Sequence, residues 1–355
     1  MTDILKGHFG NPHSSIHLHG RDANTLVETA RERVAKLIGS EATNIIFTSG
    51  ATESNNFLIS QGVKLNPGKK TILVSALEHK CVLETAYELR KNGYKIIVIK
   101  TDEYGYIDMN HYHQSLNHDV ALVSIMCANN EIGTINNMLP LIDAAHLSGS
   151  LFHTDAAQYI THDDLDVDEL NVDFLSLSSH KMYGPIGIGA AYIAPHLFER
   201  FTPMILGGGQ QDGKRSGTLS PLLCGGFGEA AHQFSTVGND IRREIKNIRN
   251  YFYDLLNKHF CDEYQLIGPS LDQRHFSNLN IKFHKPASII LGMGASVFSA
   301  SNGSACSSGE IKPSHVLRAI GLSAEEADKC IRFSFGVGLN FDDMERVTSK
   351  LKSIL

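Results

Sequence analysis

Two polar clusters each follow an apolar run, and their residue types could serve one reaction. The run SLFHTDAAQ places Asp155 and Gln158 after a predicted strand. The later run LSLSSHK places Ser178, His180 and Lys181 after another. Because carboxyl ends of parallel strands meet at one rim of a sheet, both clusters should reach the same site.

A lysine at that rim can form a Schiff base, and a carboxylate can pair with a pyridinium nitrogen and keep it protonated. Taken singly, Lys181 would be a solvated strand-end lysine and Asp155 a helix cap. Their joint placement instead favours a site for pyridoxal 5'-phosphate (PLP).

A third segment, TSGATES at residues 48–54, follows a predicted strand and opens a helix. Its small residues let backbone N–H groups approach a phosphate, and the Thr52 hydroxyl can add a hydrogen bond. An ordinary Ser/Thr helix cap is the plain alternative. Residues 208–214 nearly match the P-loop of nucleotide hydrolases, but Arg215 stands where Ser or Thr must bind magnesium, which argues against nucleotide hydrolysis.

The histidines favour proton transfer over metal binding. Clusters near residues 13–19 and 111–113 lack a cysteine or acidic ligand at a suitable spacing, so we expect no metal site. His79 follows the predicted strand TILVSA and should reach the rim. A neutral imidazole there can stack on an aromatic ring and exchange protons near neutral pH.

Two residues in the C-terminal third could act on a substrate. Cys306 lies in SNGSACSSGE, a segment too rich in Gly and Ser to pack well, which suits a nucleophile that must travel. A buried, inert cysteine is the alternative. Arg332 lies in the apolar strand pattern CIRFSFG, where it should pair with a structural carboxylate or with the carboxylate of a substrate.

The elements that would position these residues alternate between short β-branched runs and amphipathic helical patterns. The runs are NIIFTS, TILVSA, KIIVIK, ALVSIM, SLFHTD, FLSLSS and GIGAAYIA. This alternation predicts an α/β fold with a mostly parallel sheet covered by helices on both faces. From about residue 239 the pattern changes, which predicts a large domain over residues 1–238 and a smaller α+β domain over residues 239–355.

Composition is typical of a globular protein that binds small molecules or proteins. The 355 residues are 42% hydrophobic, and the net charge of −6 lacks the basic excess of a nucleic-acid-binding protein. The six cysteines form no CxxC pair, which fits a reducing cytosol. The first residues follow no targeting pattern and no window approaches eighteen apolar residues, so we expect a cytoplasmic protein that does not enter a membrane.

Taken together, the motifs resemble cysteine desulfurases, specifically the group associated with iron–sulfur-cluster assembly, in the class V aminotransferase branch of PLP enzymes. The motifs occur in the family's order as FGNPHSSIH, TSGATES, EHKCVL, ANNEIG, TDAAQ, SSHKMYGPIGIG, GGGQ, RSGT, GSACSSG and IRFSFG. RSGT combined with GSACSSG is the most specific part. The resemblance covers nearly the whole chain and implies the PLP-dependent transferase fold type I.

The resemblance implies a role for each matched residue. Lys181 would hold PLP covalently, Asp155 would pair with the ring nitrogen, and Gln158 with the ring oxygen. His79 would stack on the ring and transfer protons, and Cys306 would be the catalytic thiol. The other implied roles are the phosphate cup (Ala51, Thr52, Ser178, His180), contact with the partner subunit's phosphate (Thr218), the substrate-carboxylate clamp (Arg332), and contact with ring substituents and substrate (Asn130).

The implied reaction removes sulfur from L-cysteine, giving L-alanine and a persulfide on Cys306 for a sulfur-acceptor protein. Lys181, freed by the substrate amine, would remove the α-proton, and His79 or another base would take the thiol proton. Thr218 implies a homodimer. Two alternatives stay open: a selenocysteine lyase or class V transaminase on the same cofactor, and a catalytically weak PLP-fold binding or regulatory subunit.

The chain departs from the family's pattern at three places. Few residues precede Phe9, where the family usually has a strand and an Ala-Thr-rich turn that borders the substrate. Asp212 stands where relatives often carry arginine. After Leu355 there is no extension of the kind through which cluster-assembly desulfurases engage a scaffold. The first departure weakens the expectation of activity most. The last makes a role in general cluster assembly a weaker expectation than desulfurase chemistry.

Overall fold

A computed structural model describes residues 1–7, 10–303 and 313–355 of the protein. The strands of this part of the chain are β1 (Ile45–Thr48), β2 (Thr71–Ser75), β3 (Lys95–Ile99), β4 (Val120–Ser124), β5 (Leu151–Asp155), β6 (Phe174–Ser178), β7 (Gly189–Ile193), β8 (Tyr264–Ile267), β9 (Asn278–Phe283) and β10 (Cys330–Ser334). The α-helices are α1 (Thr2–Gly7), α2 (Leu18–Leu37), α3 (Ala51–Gly62), α4 (Lys80–Glu88), α5 (Met109–Ser115), α6 (Met138–Leu147), α7 (Val167–Leu170), α8 (Pro195–Phe198), α9 (Pro221–Phe260), α10 (Ala287–Gly294), α11 (His315–Ala319), α12 (Ala324–Asp328) and α13 (Phe341–Ile354).

Seven strands form one large sheet in the order β1-β7-β6-β5-β4-β2-β3. The pairs β6–β5, β5–β4, β4–β2 and β2–β3 are parallel, whereas β7 is antiparallel to both of its neighbours, β1 and β6. Six strands therefore share one direction. All residues of β1, β2, β4, β6 and β7 are buried, which agrees with the predominance of apolar residues in these runs, although FLSLS of β6 alternates with serine.

A second sheet lies in the C-terminal part of the chain and consists of β10, β9 and β8 in antiparallel order. Its apolar residues pack against α9, α10 and α13 in a core of their own. A third, smaller apolar cluster, which includes Leu77, Met126 and Leu317, joins segments that follow β2 and β4 to α11. The strand that bears Arg332 is thereby held beside the rim of the large sheet.

Helix α9 is 40 residues long and contributes to both main cores. Phe227 and Phe234 pack with the large sheet, and Phe252 and Phe260 pack with the small one. The predicted division between residues 238 and 239 falls within this helix and stays a prediction. None of the helices in the described part of the chain combines the length and apolar character needed to cross a membrane.

The predicted fold class is confirmed: this is the mixed, mostly parallel sheet with flanking helices of fold-type-I PLP enzymes. Each of the seven apolar runs overlaps one strand of the large sheet, from β1 in NIIFTS to β7 in GIGAAYIA. The predicted strand pattern CIRFSFG contains β10, and β9 lies within the segment SNLNIKF. Strand β8 was not predicted.

Candidate active site

The carboxyl ends of β1, β2, β4, β5 and β6 meet at a cavity of about 340 Å³. Because these strands share one direction, the residues that follow them reach one rim of the sheet. The predicted site residues that line this cavity are Ala51, Thr52, His79, Asn130, Asp155, Gln158, Ser178, His180, Lys181 and Arg332. Residues expected to serve a cofactor and a residue expected to bind substrate therefore share one space.

Asp155, the last residue of β5, is a buried carboxylate held by neutral donors. Its Oδ2 accepts a hydrogen bond of 2.7 Å from Nδ2 of Asn55, and its Oδ1 accepts one of 2.9 Å from the backbone N–H of Ala157. Hydrogen bonds from neutral groups fix the carboxylate without cancelling its charge. This geometry suits a cationic ring nitrogen.

Helix α3 begins at the cavity without a side-chain cap. Its N-cap residue, Gly50, has φ of +152° and makes no capping hydrogen bond, and Ala51 and Thr52 line the cavity. A Cβ on Gly189 of β7 would lie 2.7 Å from Cα of Gly50, so only glycine permits this close approach. The first-turn amides of this 12-residue helix can therefore hydrogen-bond to an anion at this end.

Lys181 follows β6 in a short 3-10 turn at residues 179–182 and is exposed at the cavity. Nδ1 of His180, in the same turn, lies 3.0 Å from Oγ of Ser178, the last residue of β6. Burial lowers the pKa of His180, and the Lys181 ammonium lowers it further. A neutral imidazole and a hydroxyl therefore accompany the lysine and can hydrogen-bond to an anionic ligand.

His79 caps α4 with its imidazole, since Nδ1 accepts a hydrogen bond of 3.2 Å from the backbone N–H of Cys81. Burial is the main cause that lowers the pKa of His79, and Lys181 adds to it, while Asp155 opposes the shift. The ring is therefore predominantly neutral at neutral pH. A neutral aromatic ring beside the cavity agrees with the stacking role predicted for it.

Arg332 of β10 is tied to two segments near the rim. Its Nη1 donates to the backbone oxygen of Asn130 at 3.2 Å, and its Nη2 donates to Oγ of Ser301 at 3.1 Å. The backbones of Arg332 and Ser301 also pair with each other. A second cavity of about 240 Å³ shares five residues with the first: Asn130, Gln158, His180, Lys181 and Arg332.

One predicted site residue of the described chain, Thr218, does not line this cavity. Thr218 is exposed, and within the described residues it lines neither cavity. Its segment is fixed to α3, because Nε of Arg215 forms an ion pair of 2.8 Å with Oε1 of Glu53. Cys306 lies outside the described residues, so its role stays a prediction.

Sequence reasoning missed two residues that touch the site, Asn55 and Cys81. Asn55 lies four residues after Ala51, so helical spacing places both on one face of α3, and this signal could have identified it. Cys81 was part of the EHKCVL motif but received no role. Histidine is not among the preferred N-cap residues, so nothing in the motif indicated that Cys81 would donate to His79.

The described histidines, cysteines and acidic residues do not form a metal site. In residues 1–7, 10–303 and 313–355, no three or more of these side chains are grouped so that they could hold a metal ion. The five cysteines within these ranges are free thiols: Cys81, Cys127, Cys224, Cys261 and Cys330.

Comparison with known proteins gives one family. The model of the aminotransferase class-V family matches residues 1–347. The chain is 42% identical to the cysteine desulfurase IscS of Dictyoglomus turgidum, covering 100% of this chain and 91% of that protein. It is 39% identical to the mitochondrial cysteine desulfurase of Saccharomyces cerevisiae, covering 100% of this chain and 70% of that protein. The solved structure of a NifS-like protein superposes with a TM-score of 0.91 at 29% identity, covering 99% of this chain and 93% of that one.

These matches extend over almost the entire chain and agree with the arrangement of Lys181, Asp155 and His79 around one cavity. The chain therefore belongs to the aminotransferase class-V family and, within it, to the cysteine desulfurases.

Proposed function

We propose that this protein is a PLP-dependent cysteine desulfurase that converts L-cysteine to L-alanine and retains the sulfur as a persulfide on Cys306. The observation that carries the proposal is the convergence of Lys181, Asp155 and His79 on one cavity, with Arg332 at the same cavity. The relatives named cysteine desulfurase support the same substrate for this chain.

The residues around the cavity fit PLP in their chemistry. Asp155, oriented by two N–H donors, matches a protonated ring nitrogen, and the amine of Lys181 matches an aldehyde carbon. The uncapped start of α3 matches a phosphate, together with polar groups on Thr52, Ser178 and His180. When bound, PLP supplies an electron sink for negative charge that develops at the substrate Cα.

Around the substrate, each residue has a distinct task. The Arg332 guanidinium binds the carboxylate of L-cysteine, because planar N–H groups match two carboxylate oxygens. Asn130, whose backbone oxygen accepts a hydrogen bond from Arg332, lines the second cavity. The Lys181 amine takes the proton from the substrate Cα and can return it to a substrate carbon.

Sulfur transfer is assigned to Cys306 on the basis of the GSACSSG motif. Its thiolate attacks the substrate sulfur, and an S–S bond forms while the substrate Cβ–S bond breaks. The electron pair of the broken bond stays with the substrate carbon skeleton, which gains a proton to become alanine. A thiolate of the acceptor protein then attacks the outer sulfur of the persulfide and releases Cys306.

We further propose a homodimer in which Thr218 of each subunit reaches the phosphate bound by the other. The position of Thr218 supports this, because within the described residues Thr218 is exposed and lines neither cavity of its own chain. We propose the cytoplasm as the location, since free cysteines in the described chain fit a reducing compartment. We also propose a large domain over residues 1–238 and a smaller domain over residues 239–355.

The function is tested by incubating the PLP-loaded protein with L-cysteine and a thiol reductant and measuring alanine and sulfide together. We expect equal amounts of both products from the wild type and neither from Lys181→Ala or Cys306→Ser. Cys261→Ser is the matched control, because Cys261 is an exposed cysteine at the end of α9. Conversion of a keto acid without sulfur release, or full turnover by Cys306→Ser, would overturn the proposal.

A further inference from the structure

Main-chain and side-chain atoms of Cys81 contact the same nitrogen of His79. The backbone N–H of Cys81 donates to Nδ1 at 3.2 Å, and the Cys81 thiol lies 3.0 Å from that nitrogen. A ring nitrogen that accepts a backbone N–H carries no proton, so a neutral ring must carry its proton on Nε2. The thiol then faces a lone pair and acts as a hydrogen-bond donor.

The Cys81 thiol is itself held by Asn55. Nδ2 of Asn55 donates to Sγ of Cys81 at 3.2 Å and to Oδ2 of Asp155 at 2.7 Å. Asn55 is fully buried. Burial raises the pKa of Cys81 to about 12, so the sulfur keeps its proton near neutral pH. Neutral groups therefore connect the buried carboxylate to His79.

Charged groups face His79 from several elements. Asp155 at the end of β5 and Glu131 after β4 favour the imidazolium, whereas Lys181 after β6 and His315 in α11 disfavour it. These influences have opposite signs and partly cancel. The hydrogen bonds at Nδ1 therefore contribute to the proton affinity of the ring.

We propose that Cys81 is a positioning residue for His79: its amide and thiol both occupy Nδ1, which fixes the Nε2–H tautomer and weakens the affinity of the ring for a second proton. The inference rests on the proposed function, in which His79 acts beside the cofactor. In the resting enzyme, His79 is a donor through Nε2. It accepts a proton there only after giving up its own.

The test is ¹⁵N NMR of the purified full chain labelled at the histidine ring nitrogens, with the His79 signals identified by their loss in His79→Gln. In the wild type at neutral pH, we expect a protonated Nε2 and an unprotonated Nδ1. Cys81→Ala keeps the amide but removes the thiol, so the tautomer should persist. The pKa of His79 should rise by roughly half to one unit, the equivalent of losing one modest hydrogen bond.

Two variants separate this effect from general disturbance. Cys81→Ser retains a donor and should return the pKa of His79 toward the wild-type value. Cys224→Ala removes a thiol from the core position of α9 and should leave that pKa unchanged. The acid limb of the pH profile of kcat/KM for L-cysteine should move with the NMR titration.

An Nδ1–H tautomer or an imidazolium at neutral pH would overturn the inference, as would an unchanged pKa in Cys81→Ala. These signals require no turnover. If the protein releases neither alanine nor sulfide, the proposed function is wrong, but the tautomer of His79 can still be measured. If the enzyme is active and His79 has the Nδ1–H tautomer, only the role of Cys81 is wrong.

Discussion

Removal of the Arg332 side chain tests whether this residue binds substrate or only joins elements of the fold. Arg332 is half-buried, lines both cavities, and donates to the backbone of Asn130 and the hydroxyl of Ser301. In Arg332→Ala the carboxylate of L-cysteine would enter the site without a cationic partner. We expect the KM for L-cysteine to rise while PLP stays bound.

The size of the effect follows from the environment of the guanidinium. Removing one member of a buried, hydrogen-bonded charge pair costs about 2–5 kcal/mol. Because Arg332 is only half-buried and partly screened by water, we take the lower end of that range. A loss of about 2 kcal/mol corresponds to roughly a thirtyfold rise in KM. The effect on kcat should be smaller, since the charge pair forms with the bound substrate before sulfur transfer.

The assay compares steady-state alanine release over a range of L-cysteine concentrations, with PLP occupancy followed by absorbance. Ser301→Ala is the matched control, because it removes the bond to Nη2 of Arg332 and leaves the guanidinium charge in place. Its KM should rise by less than tenfold, as expected for one hydrogen bond. An unchanged KM in Arg332→Ala, or equal effects in the two variants, would assign Arg332 to the fold alone.

Three other perturbations have defined outcomes. Asn55→Ala removes a donor from the buried carboxylate and should weaken PLP binding about tenfold or more in equilibrium dialysis, since bonds to charged groups contribute about 1.5–3 kcal/mol; unchanged binding would contradict this. The wild type should sediment as a dimer and Thr218→Ala should loosen PLP, and a wild-type monomer with full PLP occupancy would refute the shared site. The hydrogen bond to Asp173 raises the pKa of His146 above its unfolded value, so its contribution to stability is full below pH of about 6.5 and declines as pH rises through the raised pKa. His146→Gln should therefore lower the Tm more at pH 5.5 than at pH 8.5, and an equal loss at both would contradict the assignment.

The large sheet could be predicted from the sequence because five of its seven strands are buried at every residue. In the run TILVSA four of the six residues are apolar, three of them consecutive, and β2 within the run is entirely buried. Once the strands are known, their common direction places His79, Asp155 and Lys181 at one rim. Strand β8 lacks this signal, since YQLI includes a polar residue and only Ile267 is buried.

Other features depend on packing that no local pattern records. The sequence changes character near residue 239, yet α9 continues through that point, because its two halves bury apolar residues in two different cores. Likewise, a buried asparagine in α3 is an unremarkable helix residue until the fold brings β5 beside it. Only then does Asn55 have a carboxylate to orient.

In this site the strand ends supply charged groups, and helices α3 and α4 supply neutral donors. The distinction matters because two unit charges 4 Å apart interact by about 4 kcal/mol at an effective dielectric constant of 20, whereas a neutral hydrogen bond contributes about 1 kcal/mol. A cation at the position of Asn55 would therefore compete with a ring nitrogen for Asp155. The amide orients one carboxylate oxygen and leaves the negative charge available, and the Cys81 thiol acts on His79 in the same neutral way.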